Sequence, residues 1–186
     1  MKFKKTRIKG IYIIDRKNRK DKRGFFNKMF CQKTFKRYLK NKNIFQINRS
    51  FTKKKGTVRG LHFQNPPYAE TKIISCIKGK VWDVAVDIRR GSPTFLKYYS
   101  IILSEEKNQS FFIPEGFAHG FQTLTDNCEM LYFHTSDYNL ISEGSISDTH
   151  KVLNIKWPKK ITFQSKRDYN NPNLDANFLG VKINEL

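Results

Sequence analysis

The chain has 186 residues, a length that at ~150 residues per domain fits one domain and at which roughly 70% of the unfolded surface can be buried. No run nears the ~18 apolar residues of a membrane span, the start MKFKKTRIKGIYII has no secretion signal, and Cys31, Cys76 and Cys128 are too scattered for a disulfide framework or a zinc finger. The net charge is +20, and residues 1–55 carry +19 of it, with 21 Lys or Arg against Asp15 and Asp21.

A basic face of this kind attracts polyanions. However, the segment holds apolar stretches such as Ile11–Ile14 and Phe25-Phe26 and lacks the RNP, KH and helix-turn-helix signatures. No nucleic-acid partner and no membrane association are therefore expected, and the chain reads as a reduced, cytoplasmic domain.

In chain order, strands are expected at 8–14 and 24–30, then a helix at 31–41 with Phe35 and Leu39 four apart. Further strands are expected at 44–51, 57–64, 72–78, 80–88, 97–103, 110–113, 117–124 and 128–135, divided by Gly, Pro, Asn and Lys-Gly turns. Such spacing reads as an antiparallel sandwich or barrel. The clearest strand is Lys80–Ile88, where Trp82, Val84, Val86 and Ile88 share one face and Val81, Asp83, Ala85 and Asp87 the other. Lys78-Gly79 before it reads as a hairpin turn. After Trp157-Pro158 the chain is polar, and 159–186 is expected to wrap the body as coil and a short helix. The expected class is all-β with one or two short helices, in a single domain over 1–186.

His62 in RGLHFQ and His119 in IPEGFAHGF stand out, although a lone His is more often a hydrogen-bonded core residue. A metal needs three or four ligands fixed together. Gln64 stands two residues after His62 and no second His lies near either site, so no metal is expected. Cys76, in IISCI, reads as a small buried hydrophobe, and Cys128 has no His at a telling spacing, so neither is a candidate nucleophile. GxGxxG and Walker loops are absent, and no cofactor is expected. What remains is His62, Lys72, His119 and Tyr132, four groups able to move protons or steady an oxyanion, a set suited to proton abstraction beside a carbonyl. Alternation puts Lys72 with Ile74 and Cys76, and Tyr132 with Met130 and His134.

The order of these residues is familiar. The stretches are DKRGFF at 21–26, FQINRS at 45–50, RGLHFQNPPYAETK at 59–72, GKVWDVAVDIRRGSPTF at 79–95 and LSEEKNQSFFIPEGFAHGFQTL at 103–124. Tyr132, Tyr138, Glu143-Gly144, Asp148, IKWP at 155–158 and SKRD at 165–168 continue the series. Over about residues 8 to 175 the chain resembles the deoxythymidine diphosphate (dTDP)-4-dehydrorhamnose 3,5-epimerase family, metal-free cupin-type jelly rolls.

The resemblance implies that a nucleotide-linked 4-keto-6-deoxyhexose is the substrate and that C3 and C5 are inverted through enolates without a cofactor. It implies that His62 is the base, Asp168 the acid paired with it, Lys72 the cation that steadies the charge on O4, and Tyr132 the acid on the opposite ring face. Arg23, Arg59, Lys166 and Arg167 would meet the diphosphate or nucleotide, and Gln46, Asn48, His119, Tyr138 and Glu143 the sugar or base. A homodimer is implied, with the basic strands of residues 1–30 at its interface.

Simple alternation puts Arg59 and His62 on opposite strand faces, which leaves either a bulge at Gly60 or two separate sites. Lys28 stands where the family has Glu, reversing a charge at the binding rim. Competing readings are a single-centre 3- or 5-epimerase of a related sugar, a ketoisomerase on the same barrel, and a non-catalytic polyanion-binding barrel.

Overall fold

The structure is a computed structural model and describes residues 1–40 and 42–183. Its elements in chain order are β1 (Lys2–Lys5), β2 (Tyr12–Asp15), β3 (Arg19–Asp21), β4 (Gly24–Phe26), α1 (Gln32–Phe35), β5 (Gln46–Thr52), β6 (Val58–Gln64) and β7 (Lys72–Lys78). They continue as β8 (Lys80–Asp87), β9 (Tyr98–Ser104), β10 (Gln109–Ile113), β11 (Phe117–Thr123), β12 (Cys128–His134), β13 (Glu143–Ser145) and α2 (Lys166–Tyr169). One sheet has the order β1-β2-β10-β7-β12-β5 and a second β13-β6-β11-β8-β9, while β3 and β4 form a separate hairpin. All strand pairs within these sheets are antiparallel.

The alternation in β8 explains how the two sheets pack. Val81 and Ala85 point inward, where Ile74, Cys76, Phe111, Phe121, Cys128 and Met130 from both sheets close a shared core. Val84, Val86 and Ile88 point outward and are covered by Leu153, Trp157, Phe178 and Val181 of the C-terminal segment. The outer face of the six-stranded sheet is covered in turn by Met29, Phe30, Phe35, Tyr38 and Leu39. The result is the all-β sandwich that the strand spacing predicts, with a wrapping segment over each outer face.

Asp87, at the end of β8, anchors the loop that follows. It accepts from Arg89 Nε at 2.8 Å, Ser92 Oγ at 2.6 Å and Thr94 Oγ1 at 2.6 Å. Burial would raise its carboxyl, but these bonds outweigh that and hold it below the ordinary range.

The structure corrects several boundaries. The helix expected over 31–41 is helical only at Gln32–Phe35, and 36–40 continue as turns, with Lys40 at φ 50. Cys31 supplies no side-chain cap, and Lys33, Lys36, Arg37 and Lys40 place like charges three and four residues apart, which disfavours a longer helix. Asn41, its expected last residue, lies outside the described residues. Phe35 and Leu39 are nevertheless both buried. The strand expected over 24–30 ends at Phe26, because Met29 and Phe30 turn in to cover the sheet. The short strands β1, β3 and β13 (KFKK, RKD and EGS) are too brief or too polar to show a period.

Candidate active site

The site is built where β12, β5 and β7 of one sheet face β6, β11 and β8 of the other. On the first sheet Tyr132 lies opposite Asn48 of β5 and Ile74 of β7. Its hydroxyl shares a hydrogen bond with Ser50 at 3.1 Å. Burial pushes the phenol well above its ordinary pKa despite the Ser50 bond and the nearby Arg59 charge, so Tyr132 is a neutral proton donor at pH 7.

On the facing sheet, β11 sets His119 opposite His62 and Phe121 opposite Arg59, so that three steps along β6 match two along β11. The surplus residue is a bulge at Gly60, whose φ is +118; a Cβ there would lie 2.7 Å from Gly120 Cα and from the His119 carbonyl oxygen. The bulge breaks the simple alternation between Arg59 and His62, so the two need not lie on opposite faces of β6. Arg59 is held there by Thr52 Oγ1 at 3.0 Å and by the Phe51 carbonyl at 3.2 Å.

His62 Nε2 lies 2.7 Å from Asp168 Oδ1, at ion-pair distance but off the axis of a linear hydrogen bond. Asp168 sits in the one-turn helix α2, where Ser165 Oγ caps its N–H at 3.0 Å. Two contacts tie this segment to β6: the Asn171 side chain donates to the Gly60 carbonyl at 3.0 Å, and Phe163 bridges Thr57. Partial burial would raise the Asp168 carboxyl, but His62, Ser165 and the Gly60 backbone outweigh that and hold it below the ordinary carboxylate range. Asp168 is therefore ionised at neutral pH and available to steady a cationic His62.

Deeper in, His119 Nε2 pairs with Asp83 Oδ1 at 2.8 Å, and both side chains are buried. Burial raises the Asp83 carboxyl, against the pull of His119 and Lys72. The His119 ring lies edge-on to Tyr132 with centroids 6.4 Å apart. Lys72 Nζ donates to the His62 carbonyl at 3.4 Å and pairs with Glu70 Oε1 at 3.2 Å. Thus His62, Lys72, His119 and Tyr132 converge, with Asp168 behind the first.

At the rim, the Tyr138 N–H donates to Gln46 Oε1 at 3.1 Å and its hydroxyl to Glu143 Oε2 at 3.0 Å. Arg167 closes on the same Glu143 carboxylate. Asn48 and Lys166 are exposed beside them on β5 and α2. Arg23 is not brought to this cluster: its side chain, 90% exposed, pairs with Asp21 on the β3–β4 hairpin. Lys28 is exposed in the coil after β4.

Sequence reasoning missed Asp83, Glu70, His134 and Ser50. Asp83 had a signal: an acid on the inward face of an otherwise apolar strand must find a partner once buried.

The model of the dTDP-4-dehydrorhamnose 3,5-epimerase family matches residues 5–176. The chain belongs to this family. Among curated dTDP-4-dehydrorhamnose 3,5-epimerases, that of Shigella flexneri is 42% identical over 166 residues, covering 89% of this chain and 92% of that one. The enzyme of Salmonella typhimurium strain LT2 is 41% identical over 176 residues, covering 94% and 96%. The crystal structure of the dTDP-6-deoxy-D-glucose-3,5-epimerase of Legionella pneumophila, in complex with dTDP-4-keto-L-rhamnose, superposes with a TM-score of 0.90 at 37% identity and 98% coverage of both chains. The two-sheet sandwich is thus the cupin-type jelly roll of the dTDP-4-dehydrorhamnose 3,5-epimerases. Among the described residues no helix is long and apolar enough to cross a membrane.

Proposed function

We propose that the chain inverts C3 and C5 of dTDP-4-keto-6-deoxy-D-glucose to give dTDP-4-keto-L-rhamnose. The observation that carries this reading is His62 of the five-stranded sheet, paired with Asp168 of α2, across the sandwich from the buried, neutral Tyr132 phenol of the six-stranded sheet. The substrate's own C4 carbonyl acidifies the protons on C3 and C5, so the reading calls for no cofactor. His62 removes a proton, and Asp168 stabilises the imidazolium that forms. The electron pair moves onto O4, where Lys72 supplies a preorganised cation worth about 3 kcal/mol. Tyr132 returns a proton from the opposite ring face, and the centre inverts.

Arg59, Lys166 and Arg167 take the diphosphate, for which guanidinium forks are suited. Gln46, Asn48, Tyr138 and Glu143 line the rim for the sugar or base, and His119 meets the sugar from within. The protein acts as a cytoplasmic homodimer with residues 1–30 at the interface. Phe25 and Phe26, each 65% exposed on the β3–β4 hairpin, support a partner covering that hairpin. Arg23, beside them, then reaches the diphosphate only through that assembly.

The test is incubation with the substrate in heavy water, with deuterium at C3 and C5 read by NMR. The expected result is label at both carbons and the L-lyxo product trapped by reduction. Label at one carbon would replace the reading with a single-centre epimerase, and label at neither would overturn it.

A further inference from the structure

The start of β7 and the end of β12 form a cluster of which the roles above use only Lys72. His134 lies directly opposite Lys72 in the β12–β7 ladder. Glu70, just before β7, bridges the two: its Oε2 accepts from His134 Nδ1 at 2.7 Å, and its Oε1 pairs with Lys72 Nζ at 3.2 Å. The Glu70 and Lys72 side chains are each 9% exposed and His134 13%. The His134 ring also lies over Tyr132, with centroids 6.0 Å apart and planes 23° from parallel.

A lysine ammonium is a point charge on a four-carbon stem and does not aim itself. Around it here are Glu70 just before its own strand, His134 and Tyr132 on β12, the His62 carbonyl on β6, and Asp83 with its partner His119 on β8 and β11. Glu70 is the carboxylate in direct contact with Lys72, and His134 fixes the orientation of Glu70.

We infer that Glu70 and His134 are positioning residues that hold the Lys72 ammonium at the place where charge develops on O4. The inference rests on the epimerase reading. Burial works against the Glu70 charge, while Lys72 and His134 outweigh it and keep the carboxyl below its ordinary pKa.

The experiment compares the parent chain with Glu70→Gln, His134→Phe and His134→Gln, each checked for folding by thermal melting and for nucleotide binding by titration with dTDP. Deuterium exchange and product formation are followed at neutral pH. For Glu70→Gln the expected result is a tenfold or greater fall in kcat, KM within threefold and unchanged dTDP affinity. His134→Phe keeps the ring over Tyr132 but loses the Glu70 bond and falls threefold to tenfold in kcat, whereas His134→Gln, which can donate to Glu70, recovers most of it. An active parent beside a Glu70→Gln variant with unchanged kcat would overturn the inference. So would a rise in KM with kcat intact. An inactive parent would instead strike the epimerase reading itself.

Discussion

Tyr132→Phe separates the chemistry of the site from its architecture. The substitution keeps the ring that packs against His119 and His134 and removes one oxygen, whose only protein partner among the described residues is Ser50 at 3.1 Å. Losing that hydrogen bond costs about 1 kcal/mol of stability, or about 2–4 °C in melting temperature for a chain of this size. Losing a positioned general acid costs ~10²–10⁴-fold in rate, which at 1.36 kcal/mol per decade is about 2.7–5.4 kcal/mol on the barrier. The barrier therefore rises by several times what the fold loses. The assay follows deuterium uptake and product stereochemistry in parallel. His62, still paired with Asp168, should continue to exchange protons on its own side of the ring, with deuterium entering by retention while the inverted product falls a hundredfold or more. Inverted product formed within tenfold of the parent rate would refute the assignment of Tyr132 as the returning acid.

Other outcomes follow from the same geometry. His62→Ala should abolish exchange at both carbons while melting stays within about 4 °C of the parent, since the ring is at the cavity surface; retained turnover would sink the mechanism. The folded Asp168 pKa is below that of an unperturbed aspartate, 3.8, so the stability it contributes is fully present above 3.8 and is lost as pH falls through the lower, folded value. The melting temperature of Asp168→Asn should accordingly lie below the parent's at pH 6 and converge on it below pH 3.8, and a gap constant down to pH 2.5 would contradict the assigned shift. Gly60→Ala forces a Cβ to within 2.7 Å of the backbone of β11 at φ +118; a loss of about 3 kcal/mol or more is expected, and a melting temperature unchanged within 2 °C would count against the bulge. Asp87→Ala leaves the buried Arg89 guanidinium without its carboxylate and should cost about 3–5 kcal/mol, measured by urea unfolding.

Strands with a strict period were legible in the sequence. β7 and β8 lie within a residue of their expected bounds, because each is a short run rich in Ile or Val between charged residues and Lys78-Gly79 supplies the turn. The helix over 31–41 was legible in its buried residues, Phe35 and Leu39, but not in its length, since charge repulsion along one face leaves no mark on hydrophobic periodicity. At the site, alternation correctly grouped Tyr132 with Met130, and Lys72 with Ile74 and Cys76. Convergence of the two sheets was not legible, because it depends on register: His119 faces His62 only through the β6–β11 ladder. A glycine in a strand signals either a bulge or a close approach, and Gly60 turned out to be both. Asp168 has no local signal toward His62 and was reached only through resemblance. Glu70 and His134 were read as a motif letter and a strand end, since a contact between a loop residue and a neighbouring strand has no period.

The attachment of Asp168 has a consequence for how the molecule fails. The partner of the base does not belong to the sandwich but to a strap laid across it after the last strand, held near the site by the Ser165 cap, the Asn171–Gly60 bond and the Thr57–Phe163 bridge. Such a segment opens at a lower free-energy cost than the sheets beneath it. Each opening takes Lys166, Arg167 and Asp168 away together, so the charge behind His62 and two of the cations proposed for the diphosphate leave as one unit, while Arg59 and the β5 wall stay in place. Damage confined to the strap, by a protease cut or a destabilising substitution, should thus weaken nucleotide binding and turnover together while the sheets stay folded. Loss of activity would then precede loss of structure by a margin set by the strap alone.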